Sequence, residues 1–561
     1  MTSSIAFVGA GPTTVYTLRA LLDQASRQPS RPVSITIFEA QASVGRGTPY
    51  RPGWNDPAML ANIGSIEIPP LEQSLVEWLS AQPPHRLAAL GIDPEEIDDR
   101  AFYPRLVLGE YFHDQFLAIL ARAKARGIRV TVRTQCRVID AVSESDGMTL
   151  TVRPRRGDAF QERFDHVVLA TGHQWPAHAE VRAGYFVSPW PASALAKIPP
   201  CDVGIRGTSL TAIDATVALA VAHGAFVEDA DGTLRYQPAA GTDAFHITMM
   251  SRKGLLPEAD FYAPLPYEPL SVCTAEAIET LIRESDADLL DRCFELFRQE
   301  LLAADPAYAA KTGLVSLGLE DFCERYFADR AAADPFVWAE QNLREAQRNQ
   351  EAEFTVAWRY AILRMHEVVA LLIPHLEQGD FQRFTRFFKP VFVDDYATVP
   401  HESIRRMLAL HRAGKLDIVA IGDDYRIDSH RPEGGAVVLV DGERRAFPVF
   451  IEATGQKPLA AKDFPFPSLL RQRIIRDTAE PDGAGCLRGI VIDDQFHPVA
   501  DEIPADQLFC LSLPFLLGRH PFSQGITSSH AMGQVVGGQL AAVMEREADV
   551  MPETDRSAVA A

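Results

Sequence analysis

Two strand-turn-helix units opening on glycine, and two later strands that each end in Ala-Thr-Gly, predict an α/β chain with two Rossmann-like dinucleotide-binding domains and a helical insertion. The first unit is Ile5-Ala6-Phe7-Val8-Gly9-Ala10-Gly11-Pro12-Thr13-Thr14, and the second runs from Cys201 to Asp214 through Gly207-Thr208-Ser209-Leu210-Thr211-Ala212. The returning strands close in Ala170-Thr171-Gly172 and Ala453-Thr454-Gly455. One glycine turn alone is a weak signal, but turn, return, turn and return in one chain is a specific one.

In the first turn Gly9 permits the tight bend and Gly11 lets the backbone approach a pyrophosphate. The helix through Tyr16, Leu18, Leu21 and Leu22 then aims its positive end at the phosphates. Thr14 stands where the fingerprint has Gly or Ala. After a polar insert at 26–32, the strand 33–38 ends in Glu39, positioned to accept a ribose 2'-hydroxyl. Val44-Gly45-Arg46-Gly47-Thr48-Pro49-Tyr50 is a second glycine-rich loop, where a flavin dinucleotide would pass from ribose to pyrophosphate. Taken singly, Asn62 reads as a turn cap and Arg105 as a surface ion-pair partner, with residues 102–111 as loop. Helical spacing of Phe112, Phe116, Ile119 and Leu120 covers 111–125. A strand at 128–132 and a meander through 136–141, which carries Val138, and 148–152 follow. The strand at 164–173 closes the meander and brings small residues back beside the dinucleotide.

In the second turn Gly207 and Ala212 hold the first and third glycine positions, and Ser209 the middle one. The strand at 245–250 ends in Ser251-Arg252-Lys253, where an NAD site has an acidic residue; a hydroxyl and a guanidinium favour the 2'-phosphate of NADP. Between 274 and 388 the glycine-strand rhythm stops. Helical spacing takes over (Leu289, Leu290, Cys293, Leu296, Phe297, Leu301, later Trp358, Ile362, Met365, Val369), with Thr274 as an N-cap. A strand at 508–513, a polar loop at 518–525 and a closing helix at 527–541 end the ordered pattern.

Over 561 residues the net charge of -21, from 54 basic and 75 acidic residues, opposes a nucleic-acid or anionic-membrane surface. No apolar run is long enough to span a bilayer, and the amino terminus lacks a basic region, so a cytoplasmic location is expected. Seven cysteines without a Cys-x-x-Cys pair argue against a redox dithiol or a zinc cluster, and no metal site is expected.

These motifs, with Leu60-Ala61-Asn62, Pro104-Arg105, Gly109 and Tyr111, and Ser251-Arg252 with Gly254 and Pro257, resemble the two-dinucleotide flavoproteins. More closely, they resemble the FAD/NAD(P)-binding family related to flavin-dependent N-hydroxylating monooxygenases. The resemblance implies FAD and NADPH as cofactors. NADPH would deliver hydride to FAD, reduced flavin would react with dioxygen, and a flavin hydroperoxide would pass oxygen to the amine of a small amino acid. Oxidation of aspartate to nitrosuccinate is the sharpest form of this expectation. Arg105, Arg519 and His520 are the candidates for substrate or flavin contacts, and a solvated loop is the plain alternative for the last two. The cofactor-binding set is 9–13, Glu39, Gly47, Thr48, Tyr50, Asn62, Arg105, Val138 and 170–172 for the first site, and 207–211, Ser251, Arg252, Thr454 and Gly455 around the second. The expected map is an FAD-binding domain at 1–200 and 456–550, an NADPH-binding domain at 201–272 and 391–455, a helical insertion at 273–390 and a flexible tail at 551–561. A small-molecule substrate and dioxygen are the expected partners, and a homo-oligomer is compatible with them. Two other classes stay open: a flavin reductase with a separate electron acceptor, and a non-catalytic dinucleotide sensor.

Overall fold

The apolar runs of the amino-terminal half assemble one parallel sheet. Its strands lie in the order Leu508–Cys510, His166–Leu169, Ser3–Val8, Val33–Phe38, Arg129–Arg133. Ile5, Phe7 and Ile37 are fully buried, as expected for strands covered on both faces. The structure is a computed structural model, and it describes residues 3–25, 33–176, 178–284, 288–478, 489–500, 503–523 and 525–546. The polar insert at 26–32, Cys486 and the expected tail at 551–561 lie outside the described residues.

Taken in chain order, the sheet runs third, second, first, fourth, fifth, so the winding reverses between Ser3–Val8 and His166–Leu169. A ligand crevice opens at such a reversal, outside the carboxyl ends of the strands. The second sheet repeats the plan with Leu416–Ala420, His246–Ser251, Asp202–Arg206 and Val449–Glu452, all parallel, and reverses between the last two. Tyr185–Phe186 and Glu180–Arg182 extend that edge. In both units a three-stranded antiparallel meander fills the link from third to fourth strand: Cys136–Glu144, Gly147–Pro154 and Phe160–Phe164 in the first, Tyr425–Asp428, Ala436–Val440 and Glu443–Phe447 in the second.

Helices from Ala275–Glu284 to Lys389–Tyr396 interrupt the second unit between its second and third strands. Thr274 Oγ1 accepts the Ala277 N–H at 3.2 Å, so the expected cap is formed. The segment has its own aromatic core, in which Phe297 packs edge-on against Phe322, Phe388 and Phe392 at 5.4, 4.9 and 5.7 Å. Among the described residues no helix is long and apolar enough to cross a membrane.

Three local readings change. Residues 105–110 are not loop but the opening turns of the helix Arg105–Ala125. Gly109 stands inside this helix, where a Cβ would lie 2.1 Å from the Tyr50 carbonyl oxygen. The strand expected over 508–513 stops at Cys510, and a 3-10 turn, Leu513–Phe515, with Pro514 lacking an N–H, follows. The hairpin Gly224–Glu228 with Leu234–Pro238 was not expected, although Asp231-Gly232 in its loop, with Gly232 at φ +79°, is a turn signal.

The closing helix, Ile526–Arg546, lies along Pro12–Gln24. Small residues permit it: a Cβ on Gly533 would stand 2.9 Å from Thr17 N, and one on Gly537 2.6 Å from Ala20 Cβ. Thr13 Oγ1 and Ser529 Oγ share a hydrogen bond of 3.1 Å across the same seam. Gly537→Val is expected to overpack it and cost about 1–3 kcal/mol, measured as a lower urea midpoint; an unchanged midpoint would mean the seam has slack.

Candidate functional site

The first strand reversal holds a cavity of about 600 Å³. Gly9 has φ +106°, and a Cβ there would sit 2.3 Å from the Ala170 carbonyl oxygen. A side chain at residue 9 would therefore drive the returning strand away. Gly11 and Gly47 meet back to back, since a Cβ on Gly11 would lie 3.2 Å from Gly47 Cα and one on Gly47 2.8 Å from Pro12 Cδ. Gly11 is the N-cap of Pro12–Gln24 and makes no side-chain cap bond, which leaves the first-turn N–H groups to an anion.

Thr14 at the third fingerprint position is fully buried, and its hydroxyl donates to the Gly9 carbonyl at 2.7 Å. The departure from Gly or Ala is thus satisfied inside the turn. Glu39 accepts the Ala10 N–H at 3.0 Å and the Gln41 N–H at 2.8 Å, which fixes its carboxylate at the rim where a ribose would lie. Thr171 Oγ1 and Ser512 Oγ are 2.7 Å apart, tying the return to the segment just after the fifth strand. Tyr50, half-buried at the cavity wall, has its phenol pushed up to about 12 by burial, with the Arg105 charge acting the other way. Burial, and then the Arg105 guanidinium, push His173 down to about 4; its Nδ1 is enclosed and has no hydrogen-bond partner among the described residues.

The cavity is lined by Gly9, Ala10, Gly11, Pro12, Thr13, Glu39, Gly47, Thr48, Tyr50, Val138, Ala170, Thr171 and Gly172. A cradle open only to glycine, a bare helix start and a rim carboxylate fit a dinucleotide. Arg51, Trp54, His173, Gln174, Trp175 and Ser529 also line it and are not among the expected cofactor contacts. His173 had a signal, since it directly follows Ala-Thr-Gly; Ser529 had none, because only helix packing carries it there.

Asn62 and Arg105 do not line this cavity. They face a small one, about 20 Å³, shared with Leu210, Asp214, Ser403 and Arg406 of the second unit. Arg105 Nη2 pairs with Asp214 Oδ2 at 2.7 Å, and burial pushes the Asp214 carboxyl up to about 6 despite that partner. Arg519 and His520 also lie apart from the large cavity. Arg519 pairs with Asp494 at 2.6 Å, and the His520 ring lies 5.8 Å from Phe496, its pKa pushed down to about 4 chiefly by burial.

The second reversal repeats the first. Gly207 has φ +133°, and its Cβ would sit 2.3 Å from the Ala453 carbonyl oxygen, with Thr454 and Gly455 (φ +81°) following. Ser209 is the N-cap of Leu210–His223 and makes no side-chain cap bond. The Thr208 hydroxyl donates to Ser251 Oγ at 3.0 Å, and Ser251 Oγ accepts the Gly254 N–H at 3.1 Å. Thr211 Oγ1 lies within 3.9 Å of the Cβ position of Gly455. Arg252 is exposed beyond the strand end, 3.7 Å from Asp423. Among the described residues no group of three or more His, Cys, Asp or Glu side chains is arranged to hold a metal ion.

Comparison with known proteins adds the following. Residues 6–174 match the FAD-NAD(P)-binding family, and residues 274–396 match the YdhS-like middle domain. The YdhS protein of Escherichia coli (strain K12) is 42% identical over 532 residues, covering 95% of this chain and 96% of that one. Among solved structures, the reduced form of ornithine hydroxylase (PvdA) from Pseudomonas aeruginosa has a TM-score of 0.51 at 12% identity, over 97% of this chain and 100% of that one. The ornithine N-hydroxylase KtzI of Kutzneria sp. 744 has a TM-score of 0.49 at 14% identity, over 98% and 100%.

The two enclosed imidazoles make a pH prediction. His173 and His520 titrate near 4 in the folded chain against 6.5 ordinarily. As pH falls through that window the unfolded chain takes up protons that the folded one refuses, so stability is lost. The melting temperature of His173→Gln should therefore fall less between about pH 7 and about pH 5 than that of the parent. Parallel slopes in scanning fluorimetry would show that His173 is solvated.

Proposed function

Because the chain belongs to the YdhS-like family of FAD/NAD(P)-binding proteins, we propose that it is an FAD- and NADPH-dependent monooxygenase acting on the amino group of a small amino acid or amine. The observation that carries this reading is the doubled reversal, with Gly9 against Ala170 and Gly207 against Ala453, which provides one chain with two dinucleotide cradles. Bound FAD would supply the redox chemistry, accepting hydride from NADPH and activating dioxygen.

The protein's part is to bind, orient and exclude water. Residues 9–13 and the start of Pro12–Gln24 would hold the FAD pyrophosphate, and Glu39 would hold the ribose. Arg51 lines the same cavity and offers a positive charge to phosphate or substrate carboxylate. Trp54 and Trp175 wall the cavity, and neutral His173 offers a hydrogen bond there without adding charge. Ser251 and Arg252, at the end of the strand His246–Ser251, would read the 2'-phosphate of NADPH. Aspartate, oxidised to nitrosuccinate, is the specific substrate we put forward for testing.

Anaerobic stopped-flow absorbance of the FAD-loaded protein, with NADPH and then NADH, followed by aerated buffer and a panel of amino acids including aspartate, tests this. Bleaching by NADPH and a substrate-dependent oxidised amine are expected. Bleaching with hydrogen peroxide as the only product would make the protein a reductase, and flavin that neither nucleotide reduces would overturn both. Arg252→Ala is expected to lose about 10- to 100-fold of the preference for NADPH over NADH, the worth of charge-assisted bonds to phosphate. Glu39→Ala should weaken FAD binding about 10-fold, read by flavin fluorescence.

A further inference from the structure

We propose that the Arg105–Asp214 ion pair is a positioning joint that couples the NADPH turn to the wall of the FAD cavity. It rests on the cofactor assignment above. Arg105 opens the helix Arg105–Ala125 of the first unit, and Asp214 lies in Leu210–His223, the helix that leaves the Gly207 turn. Their side chains, 2.7 Å apart, are only 15% and 9% exposed. Arg105 Nε also donates to the Leu60 carbonyl at 3.1 Å, its backbone N–H donates to the Met59 carbonyl at 2.9 Å, and its guanidinium lies 5.8 Å from the Trp190 ring.

Two rigid routes lead from this pair to the FAD cavity. One is the helix itself: a Cβ on Gly109 would lie 2.1 Å from the Tyr50 carbonyl oxygen, so the helix cannot shift without moving Tyr50, a cavity residue. The other is the strap at 54–62. Trp54 lines the cavity, and its carbonyl accepts the Ala192 N–H at 2.9 Å. Further along, Arg406 Nη1 donates to the Ala58 carbonyl at 2.6 Å, and Met59 is buried in the core of the second unit. The strap ends beneath Arg105. On the other side, Asp214 sits just over one turn beyond Leu210, the first residue of its helix, so motion of the Gly207 turn reaches the pair directly.

Charge makes the joint two-state. A buried guanidinium that loses its carboxylate is left uncompensated, so the joint either stays paired or opens to water. The cavity of about 20 Å³ beside it, lined by Asn62, Ser403 and Arg406, has room for about one water. Among the described residues Arg105 is not one that lines the FAD cavity, and it acts through Tyr50 and Trp54. It is a positioning residue.

The test compares parent, Asp214→Asn and Arg105→Lys by hydrogen-exchange mass spectrometry, with and without FAD and NADP+, on the full chain. In the parent, FAD should slow amide exchange in 207–214, and NADP+ should slow it in 50–60, by about 5-fold or more. Asp214→Asn should abolish this cross-protection while each nucleotide still protects its own turn and FAD affinity stays within about 3-fold. Arg105→Lys, which keeps the charge, should retain part of it. In stopped flow the limiting rate of flavin reduction by NADPH should fall about 10-fold in Asp214→Asn with NADP+ affinity unchanged. Cross-protection that survives in Asp214→Asn would overturn the proposal, as would exchange that rises throughout the chain, the mark of a merely structural pair. If Asp214→Asn does not fold, partial loss of cross-protection in Arg105→Lys with own-turn protection intact supports the joint, and undiminished cross-protection overturns it. A parent that binds no FAD would instead defeat the cofactor assignment, and the joint with it.

Discussion

Both candidate cofactor sites depend on one backbone contact: a glycine of positive φ set against the carbonyl of an alanine on the returning strand. At residues 9 and 170 the separation from a would-be Cβ is 2.3 Å, and at residues 207 and 453 it is the same. The fourth strand of each sheet can lie beside the first only because the turn carries no side chain. That closeness brings Thr171, Gly172 and His173 to the rim of the large cavity. It also leaves the N–H groups at the head of Pro12–Gln24 facing the crevice rather than another strand. The middle position matters less: Ser209 replaces glycine there, and the helix behind it still starts without a side-chain cap.

The helical segment joins the second unit through buried charge. Glu258, only 4% exposed, accepts from Trp338 Nε1 at 3.0 Å and Asn342 Nδ2 at 3.1 Å, and pairs with Arg330 at 2.9 Å and with Arg359. Arg330 in turn pairs with Asp394, whose carboxylate accepts the Tyr326 hydroxyl at 3.0 Å. Asp395 beside it is pushed up to about 8, chiefly by burial. Such a network adds little net stability over an apolar contact, but it admits few alternative geometries. Phe522 reaches into the same segment, 5.6 Å from Phe392 and 6.0 Å from Phe384. The loop bearing Arg519 and His520 is therefore anchored toward the helices, which is why neither side chain lines the large cavity.

Much of this was legible in the residues. Ile5 to Gly11 and 201–212 announce their own geometry because apolar runs and glycines act locally, and Thr274 caps its helix through a bond three residues away. Glu39 is found by its position at a strand end. Less legible were residues whose neighbours are remote. Gly109 marks a close contact with Tyr50 that nothing beside it in the chain announces, and Thr14 looks like a defect in the fingerprint until its hydroxyl is seen on the Gly9 carbonyl. Arg105 reads as a loop cation, because nothing near it in the chain announces Asp214.

The sequence by itself determined the fold class, the two glycine turns, the two Ala-Thr-Gly returns and the helical character of the middle segment. Each of these follows from the period of apolar residues or from the φ range of a glycine, which are properties of a few neighbouring residues. Only the tertiary structure decided which distant groups meet: Thr13 with Ser529, Arg105 with Asp214, Phe522 with the helical core. Those meetings follow from how whole helices and sheets pack, where a displacement of one element moves every side chain on it, and no local pattern of residues encodes that.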